Sequence, residues 1–230
     1  MYTQPTNTST TKGLIRFIPK GNASKILIGE PSAEIKDVGL ALYKKQPVSA
    51  SIFSGTSVLS PGHRTDETAE VERVLSPLQQ SETGTIRCIG LNYRQHATEC
   101  GFDIPTIPTV FLKPETCLAD PWPAAVQIPR ITQEDDCGDY ESELAVVMGR
   151  DCKNVSEEEA AGYVLGYTAS NDVSSRSAQF ATSQWCYSKG FDGACPIGPA
   201  LVHKDQVKDI GTMRVKGICN GEVVQDGTLE

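Results

Sequence analysis

Three acidic side chains, Glu141, Glu143 and Asp172, stand in otherwise apolar, strand-like sequence, and a lone cationic Lys189 follows them. Carboxylates in such surroundings repel one another and are costly to desolvate, so the cluster asks for a divalent cation as its partner. Alternation along a strand that runs on from Leu144 puts Glu141 and Glu143 on one face. Asp172 follows a second apolar run, residues 163–169, and supplies a third oxygen ligand if the two segments lie close together. Three anionic oxygens with no Cys or His among them suit Mg²⁺ or Mn²⁺, with Ca²⁺ a weaker fit and zinc a poor one. Taken alone, the Glu-x-Glu pair fits the wet face of an edge strand at least as well.

Other side chains add chemistry around this cluster. Three carboxylates and one dication leave one negative charge, which the Lys189 ammonium neutralises while offering a donor to a developing enolate or oxyanion. The planar fork of Arg176 matches a substrate carboxylate bidentately. His96 and Glu99 are three residues apart, so a short helical turn sets them side by side. There the carboxylate fixes the imidazole tautomer and raises its basicity, as a water-activating base requires. In isolation the same two residues read as an exposed helix pair. Cys186 and Cys195 flank Lys189 but have no histidine near them in sequence, which favours packing over nucleophilic roles.

The motifs keep a fixed order: Ile89-Gly90-Leu91-Asn92-Tyr93 with His96 and Glu99, Phe111-Leu112-Lys113-Pro114, Asp139-Tyr140-Glu141-Ser142-Glu143-Leu144, Asn171-Asp172-Val173-Ser174-Ser175-Arg176 with Gln179, and Trp185 with Lys189-Gly190-Phe191-Asp192 and Pro196-Ile197-Gly198-Pro199. Together they closely resemble the fumarylacetoacetate hydrolase family over about residues 85 to 225. The resemblance implies a strand-dominated α+β fold, a mixed β-sandwich roll preceded by a small β-rich domain. It implies that Glu141, Glu143 and Asp172 hold Mg²⁺ or Mn²⁺, that Lys189, Arg176 and Gln179 face the substrate, and that His96 and Glu99 complete the site when a lid closes. It implies a homodimer and a metal-dependent enzyme acting on a small 2-oxo or 1,3-dicarbonyl acid through a metal-bound enolate. The outcome is C–C hydrolysis of the acylpyruvate type, or oxaloacetate decarboxylation or tautomerisation. Family members that cleave fumarylacetoacetate itself carry a further carboxylate seven residues before the histidine. Here that position is Ile89, which points to the smaller-substrate branch. The family also continues past residues 220–225 with strands that wall the pocket, whereas this sequence closes on Gly227-Thr228-Leu229-Glu230. A different tail, an early stop and a fragment all fit, and a non-catalytic or repurposed member in a specialised biosynthetic pathway is the alternative reading.

The elements that must position these residues follow from pattern. Strands are expected over 14–18, 25–29, 38–43 and 48–53, making a small β-rich domain over 1–80. A helix is expected over 66–76, where Val71, Val74 and Leu75 recur at helical spacing ahead of Pro77, and 79–85 reads as a linker. The catalytic domain then spans 85–230. Ser156 and Glu159 form a capping box, and the Glu157-Glu158-Glu159 run suits the helix dipole. The run Glu134-Asp135-Asp136 reads as a solvated loop. Prolines at 105, 108, 114, 121 and 123 predict a loop over the site, hinged at Gly101 as a lid.

Composition bounds the rest. The 230 residues suffice for one sizeable core with an appendage. A formal charge of −8 argues against nucleic acid, whose phosphates require a basic patch. No apolar stretch approaches the ~18 residues that span a bilayer, so no membrane partner is expected. Residues 1–11 lack the apolar core of a secretory signal, which predicts a cytoplasmic protein with a mitochondrial address as the alternative. Eight scattered cysteines without a Cys-x-x-Cys pair fit a reducing compartment and mostly buried thiols.

Overall fold

In the computed structural model, which describes residues 13–133 and 136–229, the first four strands close into a small antiparallel barrel. These are β1 (Ile15–Pro19), β2 (Leu27–Pro31), β3 (Ser49–Phe53) and β4 (Arg64–Leu75). Ile15, Phe17, Val48, Ala50, Ile52, Val71 and Val74 fill its interior. The expectations for residues 1–11 and for Glu134 and Asp135 lie outside the described residues.

Two expectations about this region are corrected. Residues 38–43 form a helix, α1 (Val38–Tyr43), because the Asp37 carboxylate accepts a hydrogen bond from the Leu40 amide at 2.8 Å and caps the first turn. Residues 66–76 belong to strand β4. Phe17 pairs with Val74 and Pro19 with Val71, so Glu72 is an extra, bulged residue. A bulge stretches the usual spacing of two between same-face residues to three, which imitates a helical period.

A capped turn, α2 (Gln80–Thr83), occupies the expected linker. Beyond it β5 (Ile86–Gly90) and β6 (Thr109–Lys113) form an antiparallel ribbon, with α3 (Arg94–Glu99) in the connection between them. Regular structure thus enters the proline-rich stretch, because Pro108 and Pro114 flank β6 without interrupting it. The helix α3 is followed by Gly101 at φ +69. Next come β7 (Leu118–Ala119), α4 (Arg130–Gln133), β8 (Gly138–Asp139) and β9 (Ser142–Met148). The turn α5 (Glu157–Ala160) carries the expected reciprocal Ser156/Glu159 capping box. Then follow β10 (Val164–Asn171), β11 (Ser174–Ser175), α6 (Arg176–Ala181), α7 (Cys186–Lys189) and β12 (Cys195–His203).

The central sheet has the order β7-β12-β10-β9, antiparallel except for β7 against β12. One face packs against the barrel through a shared core that includes Leu14, Ile28 and Phe53 with Val147, Ile197 and Leu201. The hairpin β13 (Arg214–Cys219) and β14 (Glu222–Thr228) turns at Asn220-Gly221, both at positive φ as a tight two-residue turn demands. The architecture is the strand-dominated α+β type that the sequence implies. Among the described residues no helix is long and apolar enough to cross a membrane.

Candidate functional site

The antiparallel register of β9 and β10 brings the acidic residues together. Ser170 lies opposite Glu143 and Asn171 opposite Ser142, so Glu141 and Asp172 stand at the same end of the hairpin. Backbone and side chain lock that end: the Asp172 amide donates to the Glu141 carbonyl at 3.0 Å and the Glu141 amide to Asn171 Oδ1 at 3.1 Å. One carboxylate oxygen from each of Glu141, Glu143 and Asp172 lies within 4.8 Å of the others. All three are wholly or partly buried.

Lysine and arginine surround the carboxylates. Lys189, 2% exposed, donates to Glu141 Oε1 at 2.9 Å, Asp172 Oδ2 at 2.8 Å and Ser174 Oγ at 2.6 Å. Arg176 donates through Nη1 to Glu141 Oε1 at 2.6 Å and to Gln179 Oε1 at 2.8 Å, and through Nε to Asp139 Oδ2 at 2.8 Å. The site thus gathers the expected acids together with Lys189, Arg176 and Gln179. Asn92 adds a donor to Glu143 Oε1 at 3.0 Å.

His96 and Glu99 both lie on α3 with exposed side chains. Glu99 accepts from Gln95 Nε2 at 3.0 Å, while His96 stands 3.8 Å from Cys100 Sγ. Among the described residues no hydrogen bond or ion pair joins the two. The residues just ahead of α3 reach the acids: Asn92 as above, and Tyr93, whose hydroxyl accepts from the Leu144 amide at 3.1 Å.

Sequence reasoning gave no role to Lys113, which is fully buried beside Asp172. Its signal was available: alternation along β6 puts it on the same inward face as Phe111, where a charge is out of place unless paired. Gln225 was likewise unassigned. Its side-chain amide donates to the Ser142 carbonyl at 2.6 Å and accepts from the Ser142 amide at 2.9 Å, clamping the residue between the two glutamates.

The cysteines are less buried than the sequence suggests. Cys117 and Cys195 are buried, whereas Cys100, Cys152 and Cys186 are exposed. Burial pushes the Cys195 thiol up to about 12, far from a reactive thiolate. Cys186 donates to the Leu112 carbonyl.

The donor set fits a hard dication. Its oxygens are anionic and convergent, and the buried Asp172 Oδ1 accepts no aligned hydrogen bond although Lys113 Nζ lies 2.5 Å away. Burial above all, and then repulsion from Asp172 and Glu141, push the Glu143 carboxyl up to about 7 against the opposing Asn92 hydrogen bond and Lys189 charge. Because this value lies above the ordinary 4.5, the protonated form stabilises the cation-free fold fully below about pH 4.5, and that contribution is lost as pH rises through 7. A dication competes with that proton. Calorimetry should therefore find Mg²⁺ affinity weakening about tenfold per pH unit below 7 and level above it.

Packing beneath Lys189 is tight. A Cβ on Gly90 would come within 2.3 Å of the Trp185 ring, and the Trp185 carbonyl accepts from the Lys189 amide at 3.0 Å. Urea melts of Gly90→Ala should show a loss of about 1–3 kcal/mol from overpacking, accompanied by a lower kcat as Lys189 shifts.

Comparison with known proteins gives a consistent picture. A family model described as fumarylacetoacetate (FAA) hydrolase C-terminal matches residues 85–230. The chain is 43% identical to a caffeoylpyruvate hydrolase from Neonothopanus nambi over 80% of its own length and 64% of the relative's. It is 39% identical to the oxaloacetate tautomerase YisK of Bacillus subtilis over 62% of its length and 47% of the relative's. It thus spans about half to two thirds of these curated relatives. Among solved structures, a 2-hydroxyhepta-2,4-diene-1,7-dioate isomerase from Mycobacterium marinum superposes with a TM-score of 0.72 at 26% identity, covering 95% of this chain and 75% of the other.

Proposed function

The chain belongs to the fumarylacetoacetate hydrolase family, and from that premise we propose that it is a divalent-metal-dependent enzyme cleaving a C–C bond in an acylpyruvate-type 1,3-dicarbonyl acid. The observation that carries this reading is the convergence of Glu141, Glu143 and Asp172 within 4.8 Å beside Lys189 and Arg176. Hydrolysis is preferred over oxaloacetate tautomerisation because the caffeoylpyruvate hydrolase alignment covers 80% of the chain, against 62% for the YisK tautomerase alignment. Residues 85–230 form the catalytic unit, the described residues up to 80 a small β-rich unit, and the active form is a homodimer.

Glu141, Glu143 and Asp172 would hold Mg²⁺ or Mn²⁺, which supplies Lewis-acid polarisation of a substrate carbonyl. The protein's own groups do the rest. Asp139, Glu141, Glu143 and Asp172 face Lys113, Lys189 and Arg176, so a dication tips the formal balance to one positive charge and the site favours an acid. Arg176, oriented by Asp139 and Gln179, holds the substrate carboxylate. All three Lys189 protons are engaged, and Ser174 is the neutral acceptor among their partners. An incoming oxygen that gathers negative charge replaces Ser174 as the acceptor of that hydrogen bond, and the ammonium, keeping its proton, stabilises the charge. His96 and Glu99, brought over the site by movement of α3, take a proton from water and direct the hydroxide at the acyl carbon, whose C–C bond then breaks to release a carboxylic acid and the enolate of the 2-oxo acid. If water is kept out, the same site reprotonates carbon and yields tautomerisation.

Mg²⁺-dependent turnover of acetylpyruvate and of oxaloacetate, measured side by side, tests the proposal. Acetylpyruvate cleavage at the higher kcat/KM is expected. Activity on neither, with no calorimetric response to Mg²⁺ and oxalate, would refute it.

A further inference from the structure

We propose that Lys113 is a positioning residue that fixes the Asp172 carboxylate for cation binding, an inference that rests on the metal reading above. Lys113 is fully buried at the end of β6. Its ammonium meets three oxygens: it is ion-paired with Asp172 Oδ1 at 2.5 Å, without an aligned hydrogen bond, and donates to the Ala194 carbonyl at 2.8 Å and the Val173 carbonyl at 3.4 Å. With no exposed surface and these oxygens around it, the ammonium offers nothing to a substrate, and the residue acts through Asp172.

The three acceptors come from two separate stretches. Asp172 and Val173 follow β10, and Ala194 precedes β12; the Ala194 carbonyl also accepts from the Val173 amide at 3.0 Å. Lys113 thus ties the end of β6 to the turn that carries a cluster acid and to the start of the neighbouring strand. Asp172 is consequently held from both sides, with Oδ1 on Lys113 and Oδ2 on Lys189. That grip fixes the plane of the carboxylate. A compact ammonium suits one carboxylate and two carbonyls converging from different directions, whereas a planar guanidinium matches a flat, forked acceptor.

A positioning role and a simple charge role predict opposite signs. Removing a cation close to a dication relieves repulsion and tightens binding. Removing the group that orients a ligand weakens binding, typically about 10–100-fold. The test is Mn²⁺ titration calorimetry on the 230-residue chain, with circular dichroism as the folding control. In Lys113→Met the Mn²⁺ Kd is expected to rise at least about tenfold. In the background of Asp172→Asn the further change Lys113→Met is expected to alter Kd by less than about twofold, because its effect runs through the missing carboxylate.

Unchanged or tighter binding by folded Lys113→Met would overturn the inference. The charge-balanced pair Lys113→Met with Asp172→Asn carries the test if the single variant does not fold, since it leaves no buried charge unmatched. Tighter binding than Asp172→Asn alone then assigns Lys113 a repulsive charge role, and much weaker binding assigns it a general scaffold role; either overturns the inference. Wild-type protein that binds no Mn²⁺ would overturn the metal reading and this inference together.

Discussion

Replacing Glu141 by alanine is expected to lower kcat/KM for acetylpyruvate and oxaloacetate alike at least about a thousandfold, or ~4 kcal/mol of transition-state stabilisation. The size follows from how many partners meet at one oxygen. Glu141 Oε1 accepts from Lys189 at 2.9 Å and Arg176 at 2.6 Å, besides contributing to the acidic cluster. On the proposed reading its loss deletes a cation ligand and releases two cationic side chains that the chemistry needs in place. Steady-state kinetics at saturating Mg²⁺, beside calorimetry of Mg²⁺ binding, provide the check. Activity within tenfold of wild type would remove the metal assignment.

Lys189→Met should produce a different signature. The substitution removes the donor to the oxygen where charge develops, which costs about 10²–10³ in kcat. It also leaves Glu141 and Asp172 facing each other without their bridging ammonium. Arg176 still pairs with Glu141 and Lys113 with Asp172, but a dication becomes the one counter-charge shared by both acids, so Mg²⁺ affinity should hold or increase while turnover collapses. Kinetics and calorimetry on one preparation separate the two effects. Equal losses in both would mean that Lys189 serves the fold of the cluster and not the reaction.

Much of this centre is legible in the sequence because strand alternation is local. Two glutamates spaced by two share a face whatever else the chain does, and an aspartate after an apolar run marks the end of the next strand. Lys113 escaped assignment because its meaning depends on the turn at 172–174 and on Ala194, more than fifty residues away in sequence. The helix over 38–43 was missed because Asp37, the cap, matters more than the apolar run it precedes. The helix expected over 66–76 failed at one residue, the bulged Glu72, whose insertion shifts the hydrophobic period by a single step. Long-range pairing decides such insertions, and no local pattern reveals which neighbour a strand will meet. Spacing places His96 and Glu99 on one helix, but the partners they take there, Cys100 and Gln95, depend on neighbours that this spacing does not specify.

The clamp of Gln225 on Ser142 has a further effect, because β9 forms an outer margin of the central sheet. An open margin presents unsatisfied amides and carbonyls on which another polypeptide can add itself as an extra strand. At the acidic end of β9 the primary amide of Gln225 takes both groups of Ser142, and the Tyr93 phenol takes the next outward amide, that of Leu144. Two side chains therefore stand in for a missing neighbour. They shield the acidic half of this border from aggregation through strand addition, without covering the acids with backbone.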